Sequence, residues 1–444
     1  MTDRKDSSDE DAIAFRKMIT VRGLSGLRNI GNTCYMNAAL QCLFSTNMLS
    51  AYFINKKFIK NLRANIMKKL ANEERKKQKL SETVDVELDR SQVVRELKSS
   101  ISYGFFKTVE KWLSDTIIIE PVTIKESLGK LSALFRGSAQ QDSHEVLNCI
   151  LDNIHEDLKT PAHVDFPNIP PNVINFRLSI KKYQTAMRLS KTDDEKAELI
   201  KNYRKFIDDN PEEDAIHASL EYWKKYIKPS HSVIRDLFTG MSFTETRCNQ
   251  CHIRSPAFDP FVIFSLGIPK SYTSAKLTDC LREHTTRRCL IGIDKYQCAH
   301  CKDKTEAEQI TYLWETADIL IIHLKRFTNE MFGTFCRTEK NSTKIDFPLD
   351  DLDLSEYFSP YNKKEAKYEL YGVVHQYGSL SGGHYISYCK NAINNHWYEF
   401  DDSHVSYIEK EKVESKIVSS NAYILFYTKK YTQIIDDTDE KESS

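Results

Sequence analysis

The chain has 444 residues and no apolar run long enough to cross a bilayer. Its longest, ILIIHL at Ile319–Leu324, has the length and β-branching of a buried strand. Nor is there an excess of either charge. Lys plus Arg and Asp plus Glu number 63 each, which removes any global electrostatic case for nucleic acid or an anionic membrane as partner. The opening MTDRKDSSDEDAIAF lacks the basic, apolar and small-residue regions of a signal peptide. A reducing compartment, cytoplasmic or nuclear, is therefore expected. In that setting the eleven cysteines read as thiols, metal ligands or a nucleophile rather than as disulfides. No internal repeat is visible.

A chain of this length exceeds one compact core, so more than one structural unit is expected. Residues 1–20, and within the acidic tail 431–444 the part from Asp436 onward, are polar and acidic with the composition of disorder. A first unit is expected over 24–158, with a basic insert at 56–99. Lys56–Lys79 carries ten basic residues against two acidic ones, the pattern of a solvated helix face, with a binding patch as the alternative. Leu131–Leu158 has apolar residues at helical spacing. PAHVDFPNIPPNV punctuates the chain with proline, and a charged helical insert fills the rest of 159–230, with the acidic node DDNPEED at 208–214. From 231 to 430 aromatic and β-branched residues dominate, which predicts strands. Helices first and strands after argue for an α+β chain with segregated layers.

Two CxxC pairs lie in the strand-rich part, Cys248–Cys251 and Cys298–Cys301. Tetrahedral zinc takes four thiolates, and each CxxC turn can aim two of them at one point. A redox CxxC would sit at a helix start in a βαβ context, and neither pair does. One structural zinc per chain is expected, with His252 and His300 as bystanders.

In GLRNIGNTCYMNAALQCLFS, Asn32 and Thr33 are good N-cap residues ahead of a helical pattern, which puts Cys34 in a first turn. There the helix dipole and free N–H groups stabilise a thiolate and donate to an oxyanion; a buried packing cysteine is the plainer alternative. A thiol nucleophile needs a base, and the base an orienting acceptor. GSLSGGHYISYCK offers His384 behind Gly382 and Gly383, and HWYEFDDSHV offers Asp401 and Asp402. His375 competes but lacks the glycines and the following acid. The order Cys…His…Asp points to a cysteine hydrolase with a structural zinc.

These segments resemble the ubiquitin-specific proteases. GLRNIGNTCYMNAALQCL resembles that family's cysteine box, and YGVVHQYGSLSGGHYISY with WYEFDDSHV its histidine box. SAQQDSHEVL resembles its QQD motif, CNQC and CAHC its zinc fingers, and LIIHLKRF with KIDFP its palm strands. The resemblance covers about Leu24 to Thr428. It implies a papain-like fold with a helical thumb, a β-rich palm and zinc-tipped β-hairpin fingers that together grip ubiquitin. It implies a deubiquitinating thiol protease with Cys34, His384 and Asp401 as triad, Asn29 at the oxyanion and Asp402 in support. It also implies that Gln141, Asp142, Glu145, Gly383 and Tyr385 hold the ubiquitin tail, with Gln140 fixing that segment. Without the family, Asn29 is a turn residue, and Asp142 with Glu145, at i and i+3, a solvated helix face. Ubiquitin and ubiquitinated proteins are the partners so implied, with a regulatory subunit as a candidate occupant of the inserts. A protease for another ubiquitin-like modifier, an inactive ubiquitin-binding module and a zinc scaffold are the alternatives.

Overall fold

The computed structural model describes residues 22–81, 83–166, 168–269, 274–332, 335–379 and 382–431. The segment 1–20 and most of the tail 431–444 lie outside the described residues.

The first half is helical. Cys34–Phe44 (α1) is followed by Asn47–Ile54 (α2), Phe58–Gln78 (α3), Arg90–Ser99 (α4), Ile101–Trp112 (α5), Val122–Leu131 (α6) and Ser143–Leu158 (α7). Every residue of α1 is buried, so it is the axis around which the others pack. The basic stretch is amphipathic: α3 turns Phe58, Leu62, Ile66 and Leu70 inward at i, i+4 spacing and leaves its lysines to solvent.

The charged stretch that follows is three helices, Pro171–Leu189 (α8), Asp193–Asp209 (α9) and Pro211–Ile227 (α10). Thr192 caps α9 by accepting from Glu195 N–H at 3.2 Å, and Pro211 opens α10 at a position where its missing N–H costs nothing. The excursion closes on itself. Thr160 and His231 exchange two backbone hydrogen bonds, at 2.9 and 2.8 Å, and Ala162 N–H reaches Lys228 C=O at 3.0 Å.

After Val233–Phe238 (α11) the chain turns to strands. Gly240–Cys248 (β1) is central to a finger sheet, with Arg254–Phe261 (β2) on one side and Ala307–Glu315 on the other, all antiparallel. A palm sheet is built, in spatial order, from His404–Tyr407, Trp397–Asp401, His384–Lys390, Lys367–Tyr377, Ala422–Lys429, Ile319–Lys325 and Ile263–Gly267. Its last pair alone is parallel along that path. Ile319–Leu324 is buried throughout. Helix α1 lies against the His384–Lys390 strand, and one core joins Ala39, Leu43 and Phe44 to Tyr385, Cys389 and Phe426. That packing fixes the helix bearing Cys34 on the strand bearing His384. Among the described residues no helix is long and apolar enough to cross a membrane.

The three-helix excursion packs on the finger sheet. Ala215, Tyr222 and Trp223 of α10 join Met241, Phe243, Phe258 and Trp314 in a separate core. Arg254 on β2 donates to Ile207 C=O at 3.4 Å, and Arg204 on α9 reaches His300 Nε2 at 2.7 Å.

Candidate active site and cysteine cluster

Cys34 is the first residue of α1 and 4% exposed. Thr33 holds the N-cap position but does not cap. Its hydroxyl accepts from Ile30 N–H at 3.0 Å, while Asn32 takes a left-handed φ of 52° and donates to Ser138 C=O at 2.9 Å. The expected side-chain cap is therefore absent; Met36 and Asn37 N–H donate to Thr33 C=O at 3.0 and 2.9 Å, which leaves the N–H groups of Cys34 and Tyr35 for another acceptor.

His384 opens its strand, and Asp401 closes the neighbouring one. The Ser387–Phe400 register puts both at the same sheet end, where His384 Nε2 meets Asp401 Oδ1 at 2.7 Å. The neighbouring Cys34 thiol, and then Asp401, raise the His384 pKa to about 9 against partial burial. With Nε2 engaged by Asp401, Nδ1 is the nitrogen left for Cys34. His375 is different in kind: fully buried, bonded through Nε2 to Ile417 C=O at 2.8 Å, and pushed by burial to about 3. It is a neutral core residue.

Asn29 is exposed next to this group. Its Oδ1 accepts from Thr33 N–H at 2.9 Å and Gly31 N–H at 3.2 Å, and its Nδ2 donates to Asp402 Oδ2 at 2.9 Å. Asp402 is in the left-handed region (φ 50°), and its C=O accepts from Leu27 N–H at 2.8 Å. Gly26 allows this approach, since a Cβ there would lie 2.3 Å from Ser403 C=O oxygen.

The acids need a correction. Asp142 does not share a helix face with Glu145. It is the N-cap of α7, extended at φ −79° and ψ 132°, and accepts from His144 N–H at 2.7 Å. Its other oxygen accepts from Tyr423 hydroxyl at 2.7 Å. Burial raises its pKa despite these bonds. Glu145 is exposed in the first turn, where the dipole favours its charge, while desolvation and then Asp142 raise its pKa. Sequence reasoning missed both Tyr423 and the cap, although Asp-Ser-His-Glu has the spacing of a capping box.

The two glycines before His384 have unlike surroundings. A Cβ on Gly383 would lie 2.2 Å from Tyr377 C=O oxygen and 2.4 Å from that of Ser379, whereas Gly382 meets only Ser379 Oγ at 3.7 Å. The backbone that needs Gly383 is the chain's own 377–379 segment. Gln140 pairs with Gly383 like a strand neighbour, donating to its C=O at 2.6 Å and accepting its N–H at 3.0 Å. Gln141 is half-buried. Tyr385 is 1% exposed, so its ring lies behind the surface rather than on it.

The four cysteines of the CxxC pairs converge. Cys248 and Cys301 sulfurs are 3.9 Å apart, and Cys251 and Cys298 sulfurs 3.7 Å. Four sulfurs at tetrahedral Zn–S distances of about 2.3 Å would be about 3.8 Å apart, so the cluster fits a metal ion. The close approaches run between the pairs, as a shared ion requires and a disulfide within a pair does not. The two turns are alike: His252 and Lys302, each following the second cysteine, both have φ 58°, and each donates back to the first cysteine's C=O, at 2.9 and 2.8 Å. Cys248 is also hydrogen-bonded to Thr305 Oγ1 at 3.1 Å. His300 is no ligand, but its contact with Arg204 makes it more than a bystander.

Comparison with known proteins places this arrangement. The sequence model of the family described as ubiquitin carboxyl-terminal hydrolase matches residues 25–427. The chain is 30% identical over 411 residues to ubiquitin carboxyl-terminal hydrolase 2 of Bos taurus, covering 92% of this chain and 55% of that one. It is 28% identical to the probable ubiquitin carboxyl-terminal hydrolase R319 of Acanthamoeba polyphaga mimivirus, over 91% of this chain and 90% of that one. The chain thus spans about half the length of several curated relatives it matches. Among solved structures, the SAGA Ubp8/Sgf11/Sus1/Sgf73 DUB module bound to ubiquitin aldehyde has the same fold. Its TM-score is 0.59 at 21% identity, over 94% of this chain and 73% of that one.

Proposed function

The chain belongs to the ubiquitin carboxyl-terminal hydrolase family, and from that premise we propose that it cleaves the peptide or isopeptide bond after the C-terminal glycine of ubiquitin. The observation that carries this reading is the hydrogen-bonded His384–Asp401 pair, set beside a thiol at the start of a buried helix.

In this mechanism Cys34 attacks the glycine carbonyl as a thiolate, its proton having passed to His384. The oxyanion of the tetrahedral intermediate is held by the Asn29 amide and the first-turn N–H groups of α1. His384 then protonates the departing amine, the C–N bond breaks, and a thioester remains on Cys34. Water, deprotonated by His384, adds to the thioester. Its collapse releases the ubiquitin carboxylate and restores the thiol. Asp401 keeps the imidazole oriented and stabilises its charged form. Glu145, with Asp142 behind it, suits a basic peptide tail. Cys248, Cys251, Cys298 and Cys301 would hold zinc, which would cross-link the two finger turns and supply no chemistry, because four protein ligands leave no open position. A ubiquitinated protein is the substrate, in a cytoplasmic or nuclear setting, and the helical excursion is a place where a regulatory subunit could act.

Ubiquitin with a C-terminal electrophile is the direct test. The expected result is a covalent adduct on Cys34. An adduct only with a probe built on another ubiquitin-like modifier would reassign the substrate. No adduct with any probe would overturn the reading.

The raised His384 pKa gives a pH dependence. A raised value means that the imidazolium persists to higher pH and is lost only above about 9. The alkaline limb of kcat/KM is expected there, because above it no proton remains for the leaving amine. Asp401→Asn removes one of the raising contributions, so the limb should move to lower pH. A limb that stays in place would separate Asp401 from the titration.

Glu145→Gln tests tail recognition more cleanly than any change at Asp142, which also caps a helix. If Glu145 pairs with a cationic tail residue, the substitution should cost on the order of 1.5 kcal/mol in kcat/KM on ubiquitin substrates. The loss should shrink as salt rises and vanish on a short neutral peptide amide. Equal losses on both substrates would return Glu145 to a structural role.

A further inference from the structure

We infer that Asn37 is a positioning residue for the oxyanion site, acting through Asp402. This goes one step beyond the functional reading above and rests on it.

Asn37 stands one helical turn after Cys34 and is 2% exposed. Its amide nitrogen faces three acceptors: Asp402 Oδ1 at 2.8 Å, Leu27 C=O at 3.2 Å and Arg28 C=O at 3.3 Å. Its own oxygen is buried with no partner among the described residues. Turning the amide over would set an oxygen against three oxygens, so the orientation is fixed by its surroundings. A buried acceptor left unpaired is unfavourable. Here it accompanies an arrangement organised around the nitrogen.

That nitrogen ties together three parts of the site. It belongs to the helix that carries Cys34. Its longer contacts, at 3.2 and 3.3 Å, go to the Leu27 and Arg28 carbonyls in the segment before Asn29. Through Asp402 it reaches the strand end whose preceding residue, Asp401, orients His384. Asp402 divides its carboxylate between two amides, Oδ1 taking Asn37 and Oδ2 taking Asn29 at 2.9 Å. One hydrogen of the Asn29 amide is thereby used, and the direction of the other is set. Asn37 touches no reacting atom. Its effect is to fix where the free Asn29 hydrogen lies relative to the sulfur, and oxyanion stabilisation is steep in that placement because its donors are fixed before charge develops.

The test is a double-mutant cycle in the full chain with a ubiquitin C-terminal fluorogenic amide. Asn37→Ala is expected to lower kcat roughly 10- to 100-fold, less than deletion of a direct oxyanion donor, with KM within about two-fold. With Asp402→Ala already present, adding Asn37→Ala should lower kcat by no more than about two-fold, because the connection is already cut. Alkylation of Cys34 by iodoacetamide, which displaces iodide and forms no oxyanion, should keep its rate in every variant. Losses that multiply, or an alkylation rate that falls with kcat, would overturn the inference and leave Asn37 a packing residue. Should Asn37→Ala not fold, Asp402→Asn provides the same reading from the other side. It keeps one acceptor oxygen for two donors and must lower kcat without slowing alkylation. Wild-type chain that forms no adduct with the ubiquitin probe would overturn the functional reading, and this inference with it.

Discussion

Cys34→Ala is expected to abolish hydrolysis, by on the order of 10⁵-fold or more, while leaving the fold and ubiquitin affinity intact. The reasoning starts from where the residue sits. Alanine is the best helix former, the site is the first turn of a helix buried along its whole length, and only a sulfur is removed. The rest of the site remains, including the Asn29 amide and the His384–Asp401 pair. A second readout follows from the electrostatics. The thiol is the largest of the contributions that raise His384, so in Cys34→Ala the imidazole should titrate nearer its ordinary value of about 6.5. Imidazole resonances followed by NMR across pH 5 to 10 would show this. Turnover at the wild-type rate would remove Cys34 as nucleophile, and an unchanged His384 titration would remove the thiol as its partner.

The second large effect is expected at the cysteine cluster. Wild-type chain should contain about one zinc by elemental analysis. Cys298→Ser leaves three thiolates, and structural zinc sites supply on the order of 10 kcal/mol of folding free energy at neutral pH. Loss of the ion should melt the turns at 248–252 and 298–302 and loosen β1 and its neighbours. The disturbance should spread into the helical excursion, because α9 touches the turn through Arg204 and His300 and α10 shares a core with the same sheet. The palm and α1 are held by other cores. An early unfolding step is therefore expected ahead of the main one, with ubiquitin affinity lost and iodoacetamide labelling of Cys34 retained. Absence of zinc, a disulfide within either pair, or a single unfolding step equal to wild type would contradict this account.

Several features of the site were legible in the sequence because they follow from local rules. A cysteine after Gly-Asn-Thr at the start of a helical pattern, a histidine after two glycines and an acid at a strand end each announce themselves. The two CxxC turns converge although residues 252–297 separate them, because each turn aims its sulfurs by local geometry. What stayed hidden depends on the fold. Nothing near Asp142 in the sequence names Tyr423 as its partner, and spacing alone gave a helix face where the structure has a cap. Gln140 and Gly383 meet through backbone groups that carry no residue-type signal. Asn37 reads as an ordinary helix residue until Asp402 is brought beside it. The division of the charged stretch into three helices, by contrast, was available from Thr192 and Pro211, whose capping and opening signals lay unread within a single helical segment.

The closure between Thr160 and His231 has a topological consequence. A chain that leaves the framework and returns to the same point forms a ring hung on a single knot, and the framework senses the knot but not the circumference. Helices α7 and α11 would keep their separation whether that ring held ten residues or seventy, since the entropy of closing a loop grows only with the logarithm of its length. Length at this position is therefore nearly free to drift. What holds the present ring to its size is the aromatic face of α10 on the finger sheet, a second attachment the knot does not need.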